Sequence, residues 1–262
     1  MDKIDYLVSL IERQQNDLNS LRERVEDLYY DFLVASKVTT LHKAYKRFKN
    51  INFNKSVACI ASGPTAKLYK PSEGVILCGI NYSFRLFDKL DYLFRQDSAL
   101  DKHEFDREID AYKGNNCIKF YGIHSKRRLE VNRRNGMTNL ARIPAVSFLK
   151  DNVIPYLLED SWHSKWAINL ETESFGDIGS TTFSALQFLL YTNPKIIYLV
   201  GHDCYCYKED DYNYKMFIPW YREFKEFANH NYPNTQIISI NPIGLKGIFE
   251  DIYTKEYLES LK

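Results

Sequence analysis

The stretch that decides the fold covers residues 176–207 and reads GDIGSTTFSALQFLLYTNPKIIYLVGHDCYCY. It opens with a small polar turn that contains glycine, and residues 182–191 are apolar nearly all round, as a buried helix would be. We predict that this helix begins near Ser180 and ends at Asn193-Pro194, because proline cannot continue the hydrogen-bond ladder. Residues 196–200, IIYLV, are short, β-branched and uninterrupted, which predicts a parallel strand covered on both faces.

The order of these pieces predicts the fold class. A polar loop, a helix, a parallel strand and a second polar loop at Gly201-His202-Asp203 form one unit of an α/β, Rossmann-like sheet with helices on both faces. Ligands of such sheets bind at loops beyond the carboxyl ends of the strands. We therefore expect both polar loops to face one crevice.

Composition limits the class of protein. The chain has 262 residues, of which 45% are hydrophobic, and this suits one globular domain of ordinary size plus an extension. A net charge of +1 argues against a dedicated nucleic-acid binder. The odd count of five cysteines favours free thiols in a reducing compartment. The first residues carry acids and lack a long apolar core, so we expect neither signal peptide nor membrane span, and a cytoplasmic protein.

Residues 4–32 follow a heptad pattern of apolar residues. One seam position holds Ile4, Ile11, Leu18, Val25 and Phe32, and the other holds Leu7, Gln14, Leu21 and Leu28. Asp17 and Arg22 flank the seam, where charges of parallel chains meet. We predict that residues 1–36 form a coiled-coil helix that makes a homo-oligomer, either a dimer or a trimer. The alternative is a long helix packed on its own domain.

A basic segment follows at residues 37–50, KVTTLHKAYKRFKN. Its lysines and arginine surround a few apolar side chains, which would suit peripheral contact with an anionic membrane at its inner face. A solvated linker is the other interpretation. Either way, we place the start of the main domain, residues 51–262, just after this segment.

The main domain opens with a predicted strand at residues 57–61 that leads into Ser62-Gly63-Pro64-Thr65. A strand that ends in a glycine turn is a common place for a nucleotide to reach backbone amides. The three-glycine dinucleotide fingerprint and the Walker lysine pattern do not occur here. Neither a nicotinamide cofactor nor a phosphate-binding loop of that type is therefore supported.

Two further predicted strands also end in polar residues. Residues 75–78 lead to Asn81, and residues 91–94 lead to Gln96 and Asp97. Each polar residue could simply cap its own loop. Because all three strands should deliver them to the same sheet edge, their joint pattern predicts a binding site.

This order of motifs resembles the bacterial sialyltransferases of glycosyltransferase family 42 and, more distantly, the Maf-type flagellin-modifying glycosyltransferases. Those proteins have a G-N-G-P-S-like turn, to which residues 61–65 are similar, an asparagine like Asn81, and a polar residue where Gln96 or Asp97 stands. Their central turn, apolar helix and strand ending Gly-x-Asp-x-Tyr resemble residues 179–205. The similarity spans roughly residues 56–245, with identities confined to short motifs.

The resemblance implies the GT-A variant of the Rossmann-like fold. It also implies inverting transfer of a sugar from a CMP-activated donor, without a catalytic metal or other cofactor. The donor sugar stays open between sialic acid, another nonulosonate and Kdo, and the acceptor is a surface glycan or a lipid-linked glycan. The residues that would hold the nucleotide are Ser62, Gly63, Pro64, Thr65, Asn81, Gln96 or Asp97, Gly179, Ser180 and Thr181.

The catalytic residues are also carried over from the resemblance. Tyr205, with Tyr207 or Tyr212, would hydrogen-bond the departing phosphate and stabilise its growing charge. The family uses a histidine after this loop as general base, but this chain has none there before His230. His202 is the best substitute by position, and Asp203 and Asp97 are others. As alternatives, His202 is simply packed in the core and Asp203 caps its loop.

Two other functions compete with this hypothesis. Glu209-Asp210-Asp211 would suit a transferase that holds manganese against a nucleotide-diphosphate sugar, although charge runs usually face solvent. A catalytically inactive nucleotide-binding scaffold in a polysaccharide assembly complex is the third hypothesis. It would bind CMP without turnover.

Overall fold

The computed structural model describes residues 3–99, 103–114, 116–123, 140–141, 143–158, 165–176, 178–204 and 217–261. The strands are β1 (Ser56–Ile60), β2 (Ile76–Ile80), β3 (Tyr92–Arg95), β4 (Ser98–Ala99), β5 (Ile118–Ile123), β6 (Leu140–Ala141), β7 (Val153–Leu157), β8 (Ile196–Val200), β9 (Gln236–Ile240) and β10 (Glu250–Ile252). The α-helices are α1 (Lys3–Tyr45), α2 (His103–Ala111), α3 (Thr181–Tyr191), α4 (Phe217–Asn231) and α5 (Lys255–Ser260). Short 3-10 helices cover Lys46–Phe48, Pro64–Leu68, Asn81–Arg85 and Ala145–Leu149.

The main sheet has eight strands in the order β10-β9-β8-β1-β2-β3-β5-β7, and all its neighbouring strands are parallel. The chain moves outward from β1 to β7, and then returns to the other side of β1 for β8. The order therefore reverses between β1 and β8, where open α/β sheets bind ligands. A separate antiparallel pair joins β4 to β6.

The predicted Rossmann-like α/β class is confirmed. The strand predicted at 196–200 has these bounds in the structure, and the predicted buried helix is α3, with Ser180 as its N-cap. The other predicted strands begin and end within about two residues of β1, β2 and β3. The elements β7, β10 and α2 were not predicted. β10 has only three residues, and β7 contains a proline, Pro155, which is tolerated because β7 is an edge strand.

Packing differs between the two faces of the sheet. On one face, α3 lies over the central strands with every residue buried, and its Phe188 contacts Phe94 and Phe120 at ring distances of 5.4 and 4.5 Å. Burial of one such side chain contributes about 1.5–3 kcal/mol. On the other face, Ala66 of a 3-10 helix and Phe105 of α2 complete the core. Helices thus cover both faces, as the alternation of strand side chains requires.

The helix α1 continues through the first part of the segment that we assigned to a basic linker, and a 3-10 helix follows it. Tyr45 near its end is buried against Phe120 and Phe175, and its hydroxyl donates to the carbonyl oxygen of Pro155 at 3.4 Å. This contact covers part of the open edge of β7. Among the described residues, no helix is long and apolar enough to cross a membrane.

Candidate functional site

The loops that follow β1 and β8 lie against each other at the switch point. The Ala61 amide donates to the Val200 carbonyl at 2.9 Å, and the Gly63 amide donates to the Gly201 carbonyl at 3.1 Å. A β-carbon on Gly63 would lie 2.3 Å from the Gly201 carbonyl oxygen, so no larger residue fits there. Gly201 has φ of +68°, a conformation that favours glycine. The glycines at these positions are required by the contact between the loops.

The Asp203 side chain fastens the same two loops. Its carboxylate accepts a hydrogen bond from the Thr65 amide at 3.0 Å and a second from the Thr65 hydroxyl. The Asp203 carbonyl oxygen also accepts a bond from the Gly244 amide at 2.7 Å. Only 4% of Asp203 is exposed. The carboxylate therefore has protein donors, and it holds the predicted nucleotide turn in place.

His202 is also buried, with 6% of its surface exposed, and both of its ring nitrogens have partners. Nε2 lies 3.0 Å from the Cys59 carbonyl oxygen, and Nδ1 lies 2.6 Å from the Tyr221 hydroxyl. A carbonyl can only accept, so Nε2 carries a proton, and in the neutral imidazole Nδ1 then accepts from Tyr221. Burial raises the pKa of Tyr221 well above its ordinary value, which keeps this donor protonated. To act as a base, His202 would have to give up the bond from Tyr221.

Two cysteines complete this buried cluster beneath the switch point. Cys59 of β1 and Cys78 of β2 are register partners, and both are fully buried. Burial raises the pKa of the Cys59 thiol, but hydrogen bonds with Cys78 and His202 lower it, and the net shift is downward. The pKa of Cys78 is raised, chiefly by burial. The described cysteines, which are these two with Cys117 and Cys204, are buried and free of disulfides.

The end of β2 meets the amino end of α3. Asn81 follows β2 with φ of +47°, and its amide nitrogen lies 3.4 Å from the Thr181 hydroxyl. Ser180 is half-buried and caps the helix by accepting from the Thr182 amide at 3.3 Å. Gly179 provides the left-handed turn before it, with φ of +72°. A helix amino end carries partial positive charge, so this corner suits an anion such as phosphate.

Gln96 and Asp97 lie at the same edge, beyond β3. β3 is two strands from β1, a distance of about 10 Å, which a nucleotide can span. Gln96 is buried, and its backbone is so close to β5 that a β-carbon on Gly122 would lie 3.0 Å from the Gln96 Cα. Asp97 is half-exposed, and its carbonyl oxygen accepts from Arg95 at 3.2 Å.

Arg95 belongs to a buried charged network that sequence analysis missed. Its guanidinium is fully buried, pairs with Asp106, and has Asp110 at 4.0 Å. Tyr121 donates to Asp110 at 2.7 Å, and Ser147 donates to it at 2.6 Å. The sequence did contain a signal: Asp106 and Asp110 are four residues apart, so they share one face of α2. The network holds the loop that carries Gln96 and Asp97.

Several predicted residues do not bear on this geometry. Tyr205, Tyr207, Tyr212 and the acidic run at 209–211 lie outside the described residues. Ser62 and Pro64 are exposed at the edge, on the turn that Thr65 fastens. Within the part of the chain that the structure describes, no three side chains of the metal-binding types form a cluster.

Comparison with known proteins does not assign the chain to a family. No family model and no curated protein matches it. The site must therefore be interpreted from its own geometry and from the motifs that it brings together.

Proposed function

We propose that this chain is a glycosyltransferase that moves a sialic-acid-like sugar or Kdo from a CMP-activated donor to a bacterial surface glycan. One observation supports this most: loops that are far apart in the sequence meet at the switch point, and they carry the motifs that resemble glycosyltransferase family 42. Thr65 and Asp203 are 138 residues apart, and Asn81 and Thr181 are 100 residues apart.

The donor phosphate is assigned to the amino end of α3, beside Asn81. Helix amides and the Asn81 amide group are donors of the kind that a phosphate oxygen needs. From there the nucleoside extends along the sheet edge toward the Gly63 turn, and the sugar extends the other way, toward Asp97. This placement assigns the predicted nucleotide residues to one ligand.

The proposed chemistry is an inverting displacement that needs no metal. The acceptor hydroxyl attacks the sugar carbon, the bond to the CMP phosphate breaks, and Tyr205, with Tyr207 or Tyr212, donates a hydrogen bond to the departing phosphate. The acceptor proton must go to a base. We assign that base to Asp97, because it is half-exposed at the edge, whereas His202 and Asp203 are buried. His202 and Asp203 then position the loops.

The acceptor is proposed to lie at the cytoplasmic face of the membrane. Ile51 and Phe53 are apolar and exposed by 44% and 59%, and they lie on a turn just after the exposed Lys46 and Arg47. Exposed apolar side chains beside cations suit an anionic lipid surface, where each basic residue contributes about 1 kcal/mol. This turn precedes β1, and Phe53 pairs with Pro194 before β8, so it would tether the domain to the membrane from the sheet edge opposite the site.

A thermal-shift series tests the proposed donor class. The purified chain is heated with CMP, UMP, CDP or UDP, each with EDTA or with Mn²⁺. A ligand that binds only the folded state at 100 times its Kd stabilises it by about 2.7 kcal/mol. We expect the largest rise in Tm with CMP in EDTA. A rise only with a diphosphate and Mn²⁺ would favour the metal-dependent transferase, and CMP binding without turnover of any CMP-sugar would favour the scaffold.

A further inference from the structure

The amino-terminal part of α1 is a helix that the other described residues of the chain hardly cover. Residues 4–25 are all exposed, and packing on the domain begins near Tyr29, which lies against a cluster that contains Tyr121 and Phe148. At 1.5 Å per residue this exposed part is about 33 Å long. In proteins, most of the stability of a helix comes from packing of its apolar face rather than from intrinsic propensity. We therefore expect this part of α1 to pack on another surface.

An apolar stripe runs along this exposed helix at heptad spacing. Four of its side chains, Leu18, Leu21, Val25 and Leu28, are exposed by 57% to 68%. The complete apolar seam is Ile4, Leu7, Ile11, Leu18, Leu21, Val25, Leu28 and Phe32, and each of these residues is exposed. We infer that the stripe packs against the same stripe of a second copy, in a parallel two-stranded coiled coil.

The residue types at the seam favour two strands. In parallel coiled coils, β-branched residues at the first seam position with leucine at the second favour dimers over trimers. The first position is β-branched at Ile4, Ile11 and Val25, with Leu18 and Phe32 as the exceptions, and the second is leucine at every place but Gln14. The majority at both positions is the combination that favours a dimer.

The polar residues favour the parallel orientation and fix the register. Asp17 and Arg22 are at the two positions that flank the seam and face each other between parallel chains, five residues apart. In an antiparallel pair these two positions do not face each other. Gln14 is the single polar seam residue, and it meets the partner's identical side chain when the helices are in register.

The dimer does not depend on the glycosyltransferase proposal. It would hold two copies of the main domain on one stalk. If both domains bind the same polymer or surface, binding by the first domain makes binding by the second intramolecular. The pair then binds more tightly than either domain alone.

Light scattering on the eluting full-length chain tests the pairing. We expect the wild-type mass to be that of two chains, and Leu18→Glu with Leu21→Glu to give one chain. Ser20→Glu is the matched control, because Ser20 is exposed between them but off the seam, and it should stay dimeric. The domain's unfolding temperature should not change. Two results would overturn the proposal. One is a wild-type mass of a single chain, together with a domain that the seam variant destabilises. The other is a wild-type mass of three chains.

A charge swap tests the orientation. Asp17→Arg and Arg22→Asp each place like charges across both flanks of a parallel dimer, and we expect each to weaken it about tenfold. The double variant restores opposite charges and should recover the wild-type dissociation constant. Failure to recover would contradict the parallel arrangement.

Discussion

The amide and the hydroxyl of Thr65 both donate to the carboxylate of Asp203, which lies 138 residues further along the chain. This pair joins the turn after β1 to the turn after β8. The switch point is therefore built by side chains as well as by the backbone. The same bonds keep Asp203 directed at the protein.

Removal of the Asp203 carboxylate should loosen this junction. Asp203→Ala leaves the buried Thr65 amide and hydroxyl without their acceptor, at a cost of about 2 kcal/mol, or a fall in Tm of about 4–8 °C. Differential scanning calorimetry measures the fall in Tm. Thr65→Ser keeps both donors and should remain close to wild type. An equal loss in both variants would show that the methyl group matters more than the hydrogen bonds.

A methyl group at Gly63 should separate the two loops. Gly63→Ala places a β-carbon against the Gly201 carbonyl oxygen, which cannot rotate away. We expect a destabilisation of about 1–3 kcal/mol and loss of CMP binding. In the control Gly74→Ala, the new atom meets nothing within 4 Å, although φ of +80° still adds strain. Calorimetric titration with CMP should therefore detect binding to Gly74→Ala but not to Gly63→Ala.

The contribution of the Asn81 side chain can be measured separately from that of its left-handed backbone conformation. Asn81→Gly keeps the φ of +47° accessible and removes the side chain. We expect folding to be nearly unchanged and the Kd for CMP to rise about 10- to 100-fold, the effect of one bond to a charged group. Asn54→Gly removes an exposed asparagine with φ of +60° and should bind CMP normally. Unaltered affinity in Asn81→Gly would remove Asn81 from the proposed site.

Arg95 should matter far more for stability than an exposed arginine. Arg95→Met leaves Asp106 and Asp110 partly buried without their cation, and breaking such a pair costs about 3–5 kcal/mol. Arg85 forms a salt bridge with Glu108, and the two side chains are 47% and 37% exposed. Arg85→Met should therefore lower the free energy of unfolding by at most about 1 kcal/mol. Urea denaturation compares the two. Similar midpoints would mean that water reaches the Arg95 network.

Local patterns in the sequence predicted most of the sheet. The strand IIYLV and the helix that precedes it were predictable because proline, the N-cap serine and continuous apolar residues act within a few residues of each other. The helix α2 was missed because it is short, and β7 was missed because Pro155 argues against a strand. The partners of His202 could not be predicted from sequence, and the spacing of Asp106 and Asp110 indicated a shared helix face but not Arg95 as the cation.

By itself, the sequence determined the parallel α/β class, the central helix and strand, the polar residues at strand ends, and the heptad seam. Those features depend on neighbours along the chain. Only the tertiary structure decided that β8 lies beside β1, that Asp203 bonds Thr65, and that His202 bonds the Cys59 carbonyl 143 residues away. The physical reason is that buried polar groups take their partners from whichever strands become neighbours, and strand order is set by packing of the whole sheet.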